Sequence, residues 1–221
     1  FRKAHPKREP KPRFERPSYW KQDTSKPYYA TTVMENGTPL VHVRYVQNGD
    51  RILIVSSERE LITYNWLKSK PTTAASVPIG QPIATDIIVS SQCFSCSDDG
   101  RWVFSCGHFD KSLKCSWTDK ALVKQSMFEH RDVVSAIELS EDGNYLVSGS
   151  KDATVIVWSL DRRSLSKPLT PQPHAILYGH EQAVTSLDVN ADIDTVVSGD
   201  SDGMCILHTL LTGKYVRTIQ Y

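Results

Sequence analysis

Four residue positions recur along this chain at fixed intervals, and the recurrence restricts the available folds more than any bulk property does. His130, Ser148, Asp152 and Trp158 are separated by 18, 4 and 6 positions, and His180, Ser198, Asp202 and His208 repeat all three intervals. Within the first copy, apolar runs at 133–139, 145–148 and 154–158 are split by the turn Asp142-Gly143 and the polar corner 149–152. Runs this short, bounded by turn residues, read as antiparallel strands.

Two weaker copies lie upstream. Ser56, Glu60 and Trp66 reproduce the last three positions, with Glu60 in place of the aspartate and no histidine at the expected distance before Ser56. Ser105 and Asp110 repeat them with one extra residue in the corner, and Ser116 with Trp117 straddles the tryptophan position. The serines at 56, 105, 148 and 198 are thus 49, 43 and 50 residues apart. The excess over a unit of about 40 to 45 residues falls in two loop-like stretches, 68–86 and 161–173. Asn36-Gly37, between apolar runs at 30–34 and 40–46, is a hairpin signal.

A unit of this length with this punctuation resembles a WD-repeat blade, one four-stranded sheet of a β-propeller. The resemblance implies an all-β fold of about four blades, at roughly 28–80, 87–128, 129–178 and 179–221. Four blades leave two sheet edges exposed. An incomplete or fragmentary propeller is therefore expected, either continued by blades beyond Tyr221 or forming an open arc.

Histidine, serine and aspartate at recurring positions also invite a hydrolase reading, because a Ser-His-Asp relay uses the same types. The set occurs twice, its serines fall in mid-strand, and neither Ser148 nor Ser198 stands in a GxSxG context. A structural role covers the same facts. At a tight corner Asp152 can accept from backbone amides and from His130, which passes the network to Ser148 and the indole of Trp158. Each buried donor then has an acceptor, avoiding roughly 1 to 3 kcal/mol per orphaned group. Ser56, Glu60, Trp66, Ser105, Asp110, His180, Ser198 and Asp202 take the equivalent places, and no residue is assigned a catalytic role. With His208 in place of tryptophan, the last link changes and the fourth blade is expected to be held less tightly.

Composition, 39% hydrophobic and 23% charged, fits a soluble globular chain, and no apolar run approaches the roughly 18 residues that cross a bilayer. Net charge is only +1 but is unevenly placed. Residues 1–27 hold five prolines and nine Lys/Arg against three acids, which reads as a basic linker or extended arm. Five irregularly spaced cysteines favour a reducing, intracellular setting. The Cys93 to Cys96 pair lacks a partner pair at zinc-finger spacing, so both read as small core residues. No phosphate loop is present, and no metal or cofactor is expected. His42, His108 and His174 read as ordinary surface or packing residues.

Several strings are more specific. SCGHFDKS at 105–112, HRDVV at 130–134, SGSKDAT at 148–154 and LHT at 207–209 before Thr212-Gly213 together resemble the C-terminal propeller of BEACH-domain proteins, nearest the neurobeachin branch. The opening residues 1–12, with AHPKR at 4–8, resemble the end of a BEACH domain, making 1–27 the linker that follows it. The resemblance implies a cytoplasmic scaffold, peripheral on intracellular membranes, that acts in vesicle trafficking or membrane-protein sorting without enzymatic activity. Its implied partners are the adjoining BEACH domain and other proteins bound through the propeller face. On that face Phe109, Arg131, Lys151, Glu181 and Gln182 flank the network residues, and an exposed aromatic beside charges is a common build for a binding hot spot. The alternative is a WD-repeat platform whose basic arm binds nucleic acid or phosphoinositide, with nucleic acid the less favoured partner.

Overall fold

Residues 39–46, 51–65, 77–78, 90–118, 122–164 and 166–220 are described in the structure, a computed structural model. The basic arm 1–27, the Asn36-Gly37 hairpin, Trp66 and most of 68–86 lie outside them. Sixteen strands and no α-helix make up the described residues. The first sheet holds β1 (Leu40–Val46), β2 (Arg51–Ser56), β3 (Glu60–Asn65) and β4 (Val77–Pro78). The second follows a 3-10 turn, Ser91–Cys93, with β5 (Phe94–Cys96), β6 (Trp102–Ser105), β7 (Leu113–Trp117) and β8 (Leu122–Met127). The third is β9 (Val134–Leu139), β10 (Tyr145–Ser150), β11 (Val155–Ser159) and β12 (Ala175–Leu177). The fourth is β13 (Val184–Asn190), β14 (Thr195–Asp200), β15 (Met204–Thr209) and β16 (Tyr215–Gln220). Each is an antiparallel meander in chain order, and no sheet closes on itself. The described residues form a partial β-propeller of four blades.

Aspartate-glycine turns set the β5–β6 and β9–β10 hairpins. Gly100 and Gly143 take φ of 67° and 65°, a region that glycine enters without steric cost. Before each glycine an aspartate accepts from a serine hydroxyl at 2.6 Å, Ser97 to Asp99 and Ser140 to Asp142. The same carboxylates accept the amides of Arg101 and Asn144 two residues on, which is the local chemistry that makes Asx residues turn formers.

Apolar side chains bind the blades to one another. One cluster runs from Leu53 through Phe104 to Ile137 and Trp158, and a second joins Val147 and Val157 to Val184 and Val196. Strands such as β10 and β11 are therefore buried on both faces, while β16 is exposed along its whole length. β9 packs against β5 on one side and β13 on the other. Approach of the fourth blade depends on Gly149, where an added Cβ would lie 2.5 Å from Val184 Cγ1. The 161–173 insert folds back over the second blade. Leu160 bridges Leu169, which is buried, and the Gln125 amide on β8 clasps Leu169 by both backbone groups at 2.8 and 3.0 Å.

Candidate functional site

In the third blade, strand alternation aims Ser148, on β10, and Trp158, on β11, at the imidazole of His130 in the segment before β9. Trp158 Nε1 donates to Ser148 Oγ at 2.9 Å, and Ser148 Oγ lies 2.9 Å from His130 Nε2. His130 Nδ1 is 3.2 Å from Asp152 Oδ2. Because a carboxylate only accepts, Nδ1 carries the proton that faces Asp152, and Nε2 meets the serine hydroxyl. Asp152 also takes the amides of Arg131 and Thr154 at 2.7 and 2.9 Å and the Thr154 hydroxyl at 2.5 Å. Burial pushes its carboxyl up, and the bonds from His130, Thr154 and Arg131 overcome that and hold it well below the usual carboxylate range.

The fourth blade corrects the aspartate assigned there. His180 Nε2 meets Ser198 Oγ at 2.8 Å, but Nδ1 meets Asp200 Oδ2, also at 2.8 Å, and Asp202 is exposed. Residues two apart on a strand share a face. Asp200, ending β14, therefore projects to the same side as Ser198, whereas Asp202 lies in the turn beyond and donates its amide to Asp200 at 3.0 Å. His208 occupies Trp158's register, pairing Val196 as Trp158 pairs Leu146. Its Nε2 donates to the Tyr178 carbonyl at 3.1 Å rather than to the serine, and its Nδ1 is buried without a partner.

In the second blade the imidazole comes from the corner itself. His108, expected to be an ordinary residue, is fully buried with Nε2 3.1 Å from Ser105 Oγ. Asp110 keeps the corner role, accepting the Ser112 amide and hydroxyl at 3.2 and 2.6 Å, but its other partner is Lys114 at 3.0 Å rather than a histidine. The register puts Ser116 opposite Val103, in Trp158's place, with a buried hydroxyl that has no partner. Trp117 instead stacks on Trp102 with ring centroids 6.4 Å apart.

The first blade departs furthest from the repeat frame. Ile54 pairs Ile62, so Ile62 stands where Trp158 does and the intervening hairpin is four residues tighter than that of the third blade. Glu60 consequently begins β3, and its amide donates to Ser56 Oγ at 3.1 Å. Trp66 lies outside the described residues. The tight corner presents Arg59 at φ 62° and only 1% exposed, and sequence reasoning missed it. Its guanidinium donates to the Cys106 carbonyl, approaches His108 Nδ1 at 3.4 Å and sits 5.4 Å from the Phe94 ring centre.

Around these buried groups lies an exposed rim. Phe109 is 69% exposed, Arg131, Glu181 and Gln182 are exposed, and Lys151 is half-buried. Lys111 ties the second and third blades there, donating to the Arg131 carbonyl at 2.9 Å and lying 3.9 Å from Asp132. His42 is half-buried in β1, and His174 is exposed and donates to the Leu211 carbonyl at 3.0 Å.

The serine-histidine-aspartate units share the polarity of a hydrolytic relay, yet Ser148 and Ser198 are completely buried and the Ser148 oxygen is occupied by an indole donor. They brace strands, and their serine hydroxyls meet no solvent.

Comparison with known families agrees with this geometry, since residues 67–221 match the sequence model of the neurobeachin β-propeller domain. The chain belongs to that family. It is similar to BEACH domain-containing protein B of Arabidopsis thaliana, 33% identical over 160 residues that cover 65% of this chain and 6% of the relative. BEACH domain-containing protein lvsE of Dictyostelium discoideum is 28% identical over 203 residues, covering 84% of this chain and 9% of that one. A putative neurobeachin homolog of Caenorhabditis briggsae is 34% identical over 154 residues, 62% of this chain and 6% of the homolog. The chain thus spans less than a tenth of these relatives' length. In fold it is similar to the computationally designed protein Ika8, with a TM-score of 0.59 and 20% identity, covering 81% of this chain and 48% of that one.

Two of the groups missed in this neurobeachin-type propeller left traces in its sequence. Asp200 shares the strand parity of Ser198, and a histidine falls between Ser105 and Asp110. Arg59 left none, because its burial depends on the second blade lying against the first.

Proposed function

We propose that this neurobeachin-type propeller is a non-catalytic protein-interaction scaffold within a BEACH-domain protein. It serves vesicle trafficking or membrane-protein sorting in the cytoplasm, at the surface of intracellular membranes. The observation that carries the reading is a division of labour at the blade corners. Serines and histidines able to do chemistry are sealed inside the network, while Phe109 and Arg131 stand exposed on the loops that the network holds. Aromatic and arginine side chains on a rigid support are frequent binding anchors. The relatives named as BEACH domain-containing proteins support a scaffold role of this kind.

Alanine at both Phe109 and Arg131 abolishes capture of a protein partner from cell lysate and leaves the thermal midpoint unchanged. Undiminished capture removes these residues from the interface. Capture that instead collapses steeply with added salt, or that anionic vesicles compete away, assigns the binding to phosphate contacts made by the basic arm.

A further inference from the structure

Arg59 poses an electrostatic problem that the bracing network leaves open. Its guanidinium is buried between the first two blades, its Nε has no hydrogen-bond partner, and among the described residues no carboxylate pairs with it. A buried cation without an anion is strongly unfavourable. The groups beside it are two thiols flanking neighbouring strands, Cys93 just before β5 and Cys106 just after β6, which are 1% and 0% exposed.

The two cysteines face each other. β5 and β6 pair Phe94 with Ser105, and one step on Cys106 N donates to Cys93 O at 3.0 Å, so both side chains project to one face. That bond holds the two backbones together just beyond the paired strands, and a disulfide needs Cα atoms roughly 4.4 to 6.8 Å apart. Each thiol feels the other and the Arg59 charge. Cys93 Sγ also lies 3.9 Å from both Ser90 Oγ and the Ser135 carbonyl of the third blade, and Cys106 Sγ lies 4.0 Å from the Gln92 carbonyl. Arg59 of the first blade donates to the Cys106 carbonyl, so three blades converge on this pair.

We propose that Cys93 and Cys106 form a peroxide-sensitive pair, in which Cys93 is oxidised first and Cys106 resolves it to a disulfide. The hydrogen bond from Cys106 pulls the Cys93 thiol down to about 6 against the cost of burial, with the Arg59 charge assisting. Burial pushes Cys106 well up and Cys96 up to about 11. Cys93 is therefore the thiolate, and the anion that Arg59 requires. The oxidant is hydrogen peroxide, small enough to enter when the three-residue edge strand β5 opens locally. The Cys93 thiolate attacks one peroxide oxygen, the O–O bond breaks, and the departing hydroxide takes a proton to become water, leaving a sulfenic acid. The Cys106 sulfur then attacks the Cys93 sulfur, the S–O bond breaks, and a second water leaves with the Cys106 proton. Two thiols lose two electrons while peroxide becomes two waters. The disulfide removes the negative charge beside Arg59 and so loosens the first blade from the second.

The test treats the reduced 221-residue chain with hydrogen peroxide, alkylates the remaining thiols and maps peptides without reduction. The expected product joins Cys93 to Cys106, with Cys93 consumed about tenfold faster than the half-buried Cys205. In Cys106→Ser, Cys93 stops at the sulfenic acid and is trapped by dimedone, and in Cys93→Ser, Cys106 stays reduced. Arg59→Met slows Cys93 oxidation about tenfold, whereas Arg59→Lys retains most of the rate. Cys93 oxidised no faster than Cys205, dimedone on Cys106 in Cys93→Ser, or a Cys93–Cys96 product each overturns the proposal. The serine variants keep Arg59 and decide the disulfide independently of it.

Discussion

His180 Nδ1 lies 2.8 Å from Asp200 Oδ2, and both side chains are 1% exposed. Asp202, four residues after Ser198 as Asp152 is after Ser148, contributes only a backbone amide to this arrangement. Strand parity has replaced the corner residue as the source of the carboxylate, with the imidazole and the serine unchanged in role.

Removing the Asp200 charge therefore unsettles the fourth blade. Asp200→Asn costs about 1 to 3 kcal/mol in urea unfolding, because a buried imidazole and two amides lose a charged acceptor. Asp202→Asn stays within about 0.5 kcal/mol, as exposed substitutions usually do. Equal losses in the two variants would show that the carboxylates share the role.

Ser148 links the Trp158 indole to the His130 imidazole, so its removal and that of Trp158 are coupled. Ser148→Ala costs roughly 1 to 3 kcal/mol by orphaning the indole N–H and the His130 ring. Once Trp158→Phe has removed the indole donor, Ser148→Ala costs about 1 kcal/mol less than it does alone. A double-mutant cycle with strictly additive losses contradicts the hydrogen-bonded relay.

Acid should weaken the protein in two stages. Burial, with the Arg59 and Lys114 charges, pushes His108 down to about 3, against about 6.5 in the unfolded chain. Between these values the unfolded state binds a proton that the native state refuses, so the His108 contribution is full above about pH 6.5 and declines as pH falls, by about 1 kcal/mol per unit. His42 and His208, also lowered by burial, act in the same sense. Asp152 and Asp200 are held below their usual range, and their contribution, present above about pH 4, is lost only beneath it. Urea unfolding between pH 7.5 and 4.5 measures the first stage, and His108→Gln flattens it. An equally steep decline in that variant assigns the effect elsewhere.

Gly149 sets the spacing of the third and fourth blades. Gly149→Ala places a methyl 2.5 Å from Val184 Cγ1 and costs about 1 to 3 kcal/mol through overpacking. Val184→Ala is itself destabilising but recovers part of the loss when combined with Gly149→Ala. Thermal unfolding of the two single variants and the pair detects the recovery, and strictly additive losses argue against the contact.

Much of the architecture is legible from residue spacing because a blade is built from short-range rules. Turns such as Asp142-Gly143 and period-two alternation act within a hairpin, and the His130, Ser148, Asp152, Trp158 intervals follow from strand and corner lengths. The same reasoning misplaces Glu60, since a corner four residues tighter shifts the later positions while leaving the serine in place.

Local chemistry in this chain therefore suffices to specify four consecutive β-meanders and the family to which they belong. Which groups lie in the interior was settled by one blade stacking on the next. Arg59 has an ordinary surface residue's sequence context, and it is buried because Phe94, Cys106 and His108 of the second blade close over it. Its setting depends on contacts between residues almost fifty positions apart, which a pattern confined to one repeat does not contain.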